Sequence, residues 1–109
     1  MSGDPVDLRV TVKGLGTALT QRFGTMPWPL GDAAWVSADG LDLVLNTQRT
    51  QVFHPDCMTG LGLDPATRRI VVVKSNYHFQ AGFAPIAKKI LFCAPPGVTQ
   101  PNYAEIAYT

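Results

Sequence analysis

The sequence predicts an α/β (α+β) fold, built as a single compact domain with a mixed β-sheet, one main kinked helix and short helical turns. Four consecutive β-branched residues, Ile70 to Val73, are typical of a strand that is buried on both faces. Asp39-Gly40 lies between two apolar segments and indicates a β-hairpin. A helix is predicted from apolar residues that recur on one helical face, namely Phe79, Phe83, Ile86 and Ile90.

Length and composition limit the classes of function. A chain of 109 residues is long enough for one domain with a core and too short for two. Charged residues make up only 16% of the chain, against a usual value of about 25%, so we expect another domain or a partner to cover part of the surface.

Charge and hydropathy exclude some partners and locations. The net charge of +1, without any basic run, argues against nucleic-acid binding. No signal peptide and no apolar run of about 18 residues is present, so we predict a cytoplasmic protein that does not cross a membrane. Cys57 and Cys93 fit no CxxC pattern and are interpreted as two buried thiols in a reducing compartment.

The first half of the chain predicts strands and a hairpin. Residues 7–13 alternate between polar and apolar, as in a strand with one solvated face. Residues 17–32 contain several glycines and prolines and are predicted to be irregular. Residues 33–47 form the predicted hairpin.

The second half predicts the central strand and the main helix. A short helix is expected at 56–60, and a loop or a single helical turn at 64–67, before a strand at 69–74. The helix should run from about 76 to 90, with either a kink at Pro85 or two turns of helix that meet there, because proline removes a backbone hydrogen bond.

The ends of the chain define the predicted domain boundaries. A short final strand is predicted at 90–94. Residues 1–5 are expected to be a flexible start, residues 6–97 the folded domain, and residues 98–109 a surface tail.

The junction between the predicted strand and helix is the candidate site. Lys74 supplies a cation, Ser75 is placed to cap the helix, and His78 lies in its first turn. Arg49 and Gln51 could approach the same edge of the sheet. Two interpretations stay open: a site for a small anion or carboxylate, and a strand end that is simply solvated.

The sequence predicts no catalytic residue and no metal ligand within this chain. The two histidines, His54 and His78, lie outside any HExxH or CxxC frame. Ser75 and His78 are three residues apart but lack an orienting acid and a Gly-x-Ser-x-Gly elbow. A helix cap followed by a first-turn histidine is therefore favoured over a serine hydrolase.

Several segments, in order, carry a family resemblance. They are LDLVLNTQRTQVF at 41–53, GLGLDP at 60–65, RRIVVVKSNYHFQAGFAPIA at 68–87 and APPGVTQPN at 94–102. Together they resemble the C-terminal domain of the MlrC-like proteins, the microcystinase C family of microcystin-degrading zinc metallopeptidases. The family pattern includes a proline at the position of Pro85, which favours a built-in kink there.

The resemblance implies a site that is shared between two domains. A larger N-terminal domain would carry the zinc ligands and hydrolyse peptide or amide bonds, while the C-terminal domain would pack against it and wall the cleft. The matching positions expected to line that cleft are Lys74, Ser75, His78, Phe79, Arg49 and Gln51. This sequence departs from the family at Gln80, where an arginine is usual, and it lacks the usual basic ending with proline and tryptophan.

These observations lead to one hypothesis and one alternative. The first is an accessory C-terminal domain of an MlrC-like zinc metallopeptidase, inactive alone. Its partner would be an N-terminal zinc-binding domain in the same or a neighbouring chain, and homo-oligomers are possible. The alternative is a stand-alone interaction module that binds a small anion or a carboxylate at the edge formed by Lys74, Ser75 and His78.

Overall fold

A three-stranded antiparallel sheet dominates the computed structural model, which describes residues 4–93. The strands are β1 (Thr11–Phe23), β2 (Met26–Ala38) and β3 (Leu41–Asn46), and they follow one another in space as they do in the sequence. The predicted mixed sheet is therefore wrong in this part of the chain, because both pairings are antiparallel. What stands is one domain made mostly of sheet, with a few very short helices.

The predicted β2–β3 hairpin is confirmed. Its pairs run from Ala38 opposite Leu41 to Ala33 opposite Asn46. Asp39 and Gly40 form the turn with φ values of 51° and 79°. Two consecutive positive φ values are what a tight hairpin turn of the I′ type requires, and Asp-Gly is well suited to them.

The β1–β2 ribbon is much longer than the sequence predicted. Residues 17–32, expected to be irregular, lie in two 13-residue strands joined by a tight turn. The ladder has register shifts near Gly14 and Gly16, so its side-chain alternation is interrupted and the usual strand pattern is hidden. The predicted strand at 7–13 is confirmed only from Thr11 onward.

The predicted central strand at 69–74 is wrong for the described structure. These residues belong to no sheet, Arg69 lies at a bend, and the side chains of Ile70 and Val72 are 83% and 87% exposed. The segment is anchored only near its ends, by the Arg68–Asp42 ion pair and by the bond from the Val52 N–H to the Lys74 carbonyl. Within residues 4–93 no neighbouring strand completes it.

Short helical segments follow the sheet. Helix α1 spans Asp56–Thr59, which confirms the predicted short helix. A single 3₁₀ turn spans Pro65–Thr67, so the helical turn is the correct one of the two alternatives for 64–67. Asp64 caps the 3₁₀ turn by accepting a hydrogen bond from the Ala66 N–H.

The predicted long helix at 76–90 is wrong. Helix α2 spans only Gln80–Phe83, and looser turns carry the chain on to Ala87. Pro85 lacks the N–H that a continued helix needs, so regular structure ends before it. The helix starts after Phe79 without a side-chain cap, so Ser75 is not its cap. No strand forms over 90–93, and Ala94, the last residue of the predicted final strand, lies outside the described residues.

The core lies between one face of the sheet and the segments that follow it. Its buried apolar residues are Leu30, Ala33, Val36, Phe53, Cys57, Leu61, Leu63, Phe79 and Phe83. Cys57 is buried as predicted, whereas Cys93 is exposed. The predicted tail at 98–109 and most of the predicted flexible start at 1–5 lie outside the described residues. Over residues 4–93 the structure has no helix with the length and apolarity needed to cross a membrane.

Candidate functional site

Gln21 anchors the loop at residues 51–54 to the sheet by hydrogen bonds. It comes from β1, and only 1% of its surface is exposed. Its Nε2 donates to the Gln51 carbonyl at 2.8 Å, while its Oε1 accepts from the N–H groups of Phe53 and His54 at 2.8 and 3.2 Å. These bonds satisfy the buried amide and fix the backbone over 51–54, which has no strand partner of its own.

Gln51 then joins that loop to the segment after the apolar run. Its Oε1 accepts from the Ser75 hydroxyl at 3.2 Å and from the Asn76 N–H at 3.1 Å. The Val52 N–H adds a bond to the Lys74 carbonyl at 3.3 Å. The structure therefore brings together Gln51 and Ser75, which are separated by 24 residues in the sequence.

An aromatic cluster supports His78. The rings of Phe23 and Phe53 stack with centroids 4.4 Å apart, and Trp28 meets both edge to face. The His78 imidazole stands edge to face on Phe23 and Phe53, at 5.1 and 5.9 Å. Such contacts orient the imidazole without using either ring nitrogen.

A cavity of about 230 Å³ opens beside His78. It is lined by Arg22, Gly24, Phe53, His54, His78, Ala81 and Gly82. A methyl group on Gly82 would lie 2.8 Å from the Phe53 carbonyl oxygen, so helix α2 approaches the 53–54 backbone closely only because residue 82 has no side chain. The cavity volume suits one side chain or a small part of a ligand.

Arg22, Asp56 and His54 form a chain of polar contacts next to this cavity. Arg22 Nε donates to Asp56 Oδ2 at 2.9 Å. The Asp56 N–H donates to Nδ1 of His54 at 3.1 Å, and Asp56 Oδ1 lies at the same distance from that nitrogen. A neutral ring accepts the first bond through an unprotonated Nδ1, which leaves Nε2–H as the donor.

The predicted site residues divide into two groups. Gln51 and Ser75 are half-buried and bonded to each other, and His78 lies at the rim of the cavity. Lys74 and Arg49 are exposed.

Phe79 differs from the other predicted cleft residues. It is only 6% exposed and packs in the core, with its ring 5.8 Å from that of Phe92. It therefore belongs to the core and does not line a surface.

Three neighbours of the site were not predicted from the sequence. Gln21 and Arg22 lie in a stretch that was expected to be irregular, and their partners are about 30 residues away. Asp56 was considered only as part of a turn. The His54-Pro55-Asp56 sequence was the one available signal, since a histidine and an aspartate that flank a proline turn can reach each other.

The site residues do not fit a zinc centre by themselves. Structural or catalytic zinc needs at least three protein ligands in close array. In the described part of the chain, no group of three His, Cys, Asp or Glu side chains could hold a metal ion. Burial also raises the pKa of the Cys57 thiol to about 11, so this cysteine stays neutral and is a poor metal ligand or nucleophile.

Comparison with known proteins gives the same family that the motifs indicated. The family model described as MlrC C-terminus matches residues 1–109. Microcystinase C from Sphingomonas sp. is 36% identical over 94 residues, a match that covers 85% of this chain and 18% of the relative. The chain therefore spans about a fifth of the length of that relative. With a family model matched along its whole length, this chain belongs to the MlrC C-terminus family.

Proposed function

We propose that this chain is the accessory C-terminal domain of an MlrC-like zinc metallopeptidase that hydrolyses peptide or related amide bonds, including microcystin-type substrates. The zinc ligands would belong to an N-terminal domain, in the same polypeptide or in a neighbouring chain, and this domain would be inactive alone. Family membership and the name of the relative support the enzyme class.

One observation carries the proposed role in the cleft. The Gln51 side chain bonds to Ser75 and Asn76, so the two family-motif segments at 41–53 and 68–87 meet at one surface. Gln21 holds that surface to a sheet, and the aromatic cluster orients His78 beside it. A wall built in this way is preorganised, which is what positioning a substrate requires.

Lys74 and His78 would contact substrate in this arrangement. Both are exposed, and Lys74 directly precedes Ser75, which is bonded to Gln51. A lysine ammonium recognises carboxylate or carbonyl oxygens, and His78 offers a hydrogen bond from a fixed ring. Ser75 would act through Gln51 as a positioning residue.

The test uses the full-length protein from the reading frame that encodes this chain. We expect Lys74→Ala and Ser75→Ala to lower kcat/KM for a peptide substrate by about tenfold each, with zinc content unchanged. The matched control is Lys88→Ala, an exposed lysine that is not among the proposed site residues. Unchanged kcat/KM in both site variants would contradict the proposed cleft role.

The 109-residue chain alone provides the second arm of the test. The proposal expects neither stoichiometric zinc binding nor peptide hydrolysis from it, and either result would overturn the accessory role. The alternative, a stand-alone carboxylate-binding module, predicts instead that the chain alone binds acetate or glutarate and that Lys74→Ala abolishes the binding.

That alternative has lost one of its physical supports. It relied partly on helix N–H groups next to Ser75, but helix α2 begins at Gln80 and the Ser75 hydroxyl is already bonded to Gln51. The accessory domain is therefore the function that the geometry supports best.

A further inference from the structure

The segment 69–73 has the composition of a buried strand and the surroundings of an exposed one. Four β-branched residues in a row normally belong to a strand that is covered on both faces. Here alternate side chains have different environments. Val71 is 36% exposed and Val73 is half-buried, whereas Ile70 and Val72 are 83% and 87% exposed.

The backbone of this segment also has no partner in the described structure. Over residues 4–93, no N–H or C=O group from 69 to 73 makes a hydrogen bond. A backbone with unused donors and acceptors, carrying β-branched side chains whose exposure alternates, can pair with another strand. Single exposed apolar residues are ordinary, but four consecutive apolar residues on an unpaired backbone are not.

We propose that residues 69–74 complete a β-sheet in the remainder of a longer polypeptide, by adding as a strand to one edge of that sheet. This inference rests on the proposed function, because it needs the larger domain. The domain described here would cover the face with Val71 and Val73, and the larger domain would cover the face with Ile70 and Val72. Its source is the remaining four-fifths of a protein as long as the microcystinase relative, of which this match covers 18%.

Charge argues against a second copy of the chain as the occupant. The antiparallel self-pairing that covers all four apolar residues would place Arg69 opposite Lys74 on each side. Like charges directly opposite one another destabilise a strand pair. The same two cations favour an accepting strand with Asp or Glu near its ends, since neither Arg69 nor Lys74 has an ion pair within the described residues.

Hydrogen–deuterium exchange of the full-length protein tests the strand directly. We expect the amides of 70–73 to exchange at least about 100-fold more slowly in the full-length protein than in the 109-residue chain. Leu43, which lies in the β2–β3 ladder, should be protected in both and serves as the internal reference. Unprotected exchange of 70–73 in the full-length protein would overturn the proposal.

A matched pair of variants separates pairing from folding. Val72→Lys should lower the protection of 70–73 in the full-length protein by at least about tenfold, because a charge would enter the covered face. Leu15→Lys changes a side chain that is 76% exposed on β1 and should leave it unchanged. An equal loss in both variants would contradict the assigned face.

Two further readings distinguish the causes. Protection of 70–73 in the 109-residue chain that rises with its concentration would show that a second copy is the occupant and would overturn the proposal. Peptide hydrolysis is measured separately. Protection without hydrolysis would overturn the proposed enzyme class and support the strand pairing. Hydrolysis without protection would support the enzyme class and overturn the strand pairing.

Discussion

Gln21 shows how one polar residue can organise a site that it does not line. Its three hydrogen bonds to backbone groups of Gln51, Phe53 and His54 replace the strand ladder that this loop lacks. The sequence offered no means of finding it, because a glutamine between Thr20 and Arg22 looks like any surface residue. The burial of this residue is determined by a partner loop 30 or more residues away.

Gln21→Leu should therefore destabilise the protein by at least about 2 kcal/mol. The leucine would fill much of the space but leave the buried Phe53 N–H and the part-buried His54 N–H without this acceptor, at a cost of about 1–3 kcal/mol each, while the Gln51 carbonyl keeps its bond from the Thr50 hydroxyl. Urea unfolding measures the change. Gln80→Leu, which alters an exposed glutamine, should change the free energy of unfolding by less than about 0.5 kcal/mol. Similar losses in the two variants would contradict the structural role of Gln21.

The two cysteines should differ sharply in reactivity. Burial raises the Cys57 pKa from 9.0 to about 11, whereas Cys93 is exposed. We expect the native chain to react with a disulfide reagent at pH 8 at one thiol, and Cys93→Ser to abolish that fast reaction. Two fast thiols in the native chain would contradict the burial of Cys57.

The same pKa shift sets a stability trend at high pH. The unfolded thiol loses its proton near pH 9.0 and the folded thiol near 11, so the unfolded state holds fewer protons between these values. Stability is then complete below pH 9.0 and declines by up to about 2 kcal/mol as the pH rises through 11. Cys57→Ala should remove this part of the decline in pH-dependent unfolding curves.

At the scale of elements, local signals predicted some structures and long-range context decided the others. The hairpin at Asp39-Gly40 was predictable because its turn conformation is set by two residues. The long β1–β2 ribbon was not, because Pro27 and Pro29 seemed to exclude a strand. They are tolerated because, within residues 4–93, β3 and the Thr47 and Gln48 N–H groups reach β2 no further than Leu30, so residues 26–29 pair with β1 alone.

The length of helix α2 was predicted wrongly for a comparable reason. The apolar spacing of Phe79 and Phe83 is real and both are buried, but α2 is one turn of helix and not four. Periodicity reports which side chains face the core, and it does not report where backbone hydrogen bonds stop. The family positions at 74–79 could be located from the motif, whereas the Gln51–Ser75 bond required the fold.

Gly82→Ala tests the packing of α2, because the sign of the change in the free energy of unfolding depends on how closely α2 approaches residues 53–54. In an open helical position this change would stabilise the protein by about 1 kcal/mol. Here the new methyl group would lie 2.8 Å from the Phe53 carbonyl oxygen and 3.0 Å from His54 Cα, both backbone atoms. We therefore expect a destabilisation of about 1–3 kcal/mol in thermal or urea unfolding. A stabilised variant would show that the approach is looser than described.

At the scale of the whole molecule, the low content of charged residues is accompanied by apolar side chains that are exposed on the surface. Besides Ile70 and Val72, the exposed apolar residues include Val6, Leu15 and Leu91. Composition could indicate that something covers this surface but not where, because the position of a patch depends on the fold. The predicted burial of the strand at 69–74 is wrong for the described residues, and the proposed docking would supply that burial from another domain.

Metal removal should leave this domain unchanged. Because no group of three potential ligands is assembled within residues 4–93, we expect EDTA and one equivalent of zinc to shift the Tm of the 109-residue chain by less than about 1 °C. In the full-length protein, EDTA should abolish hydrolysis while the urea midpoint of this domain, followed by Trp28 and Trp35 fluorescence, stays constant. A zinc-dependent rise in the Tm of the chain alone would contradict this division.

The order of the strands has a consequence for how the chain folds. The meander β1-β2-β3 consists of two hairpins whose contacts are local in sequence, so it can form quickly. The segments 51–54 and 74–83, the second of which includes helix α2, have no strand pairing within the described residues. They can therefore dock only on a sheet that has already formed. We expect Gln21→Leu to accelerate unfolding with little effect on the folding rate, and a φ-value near zero in stopped-flow chevrons. A φ-value near one would place loop docking before the sheet.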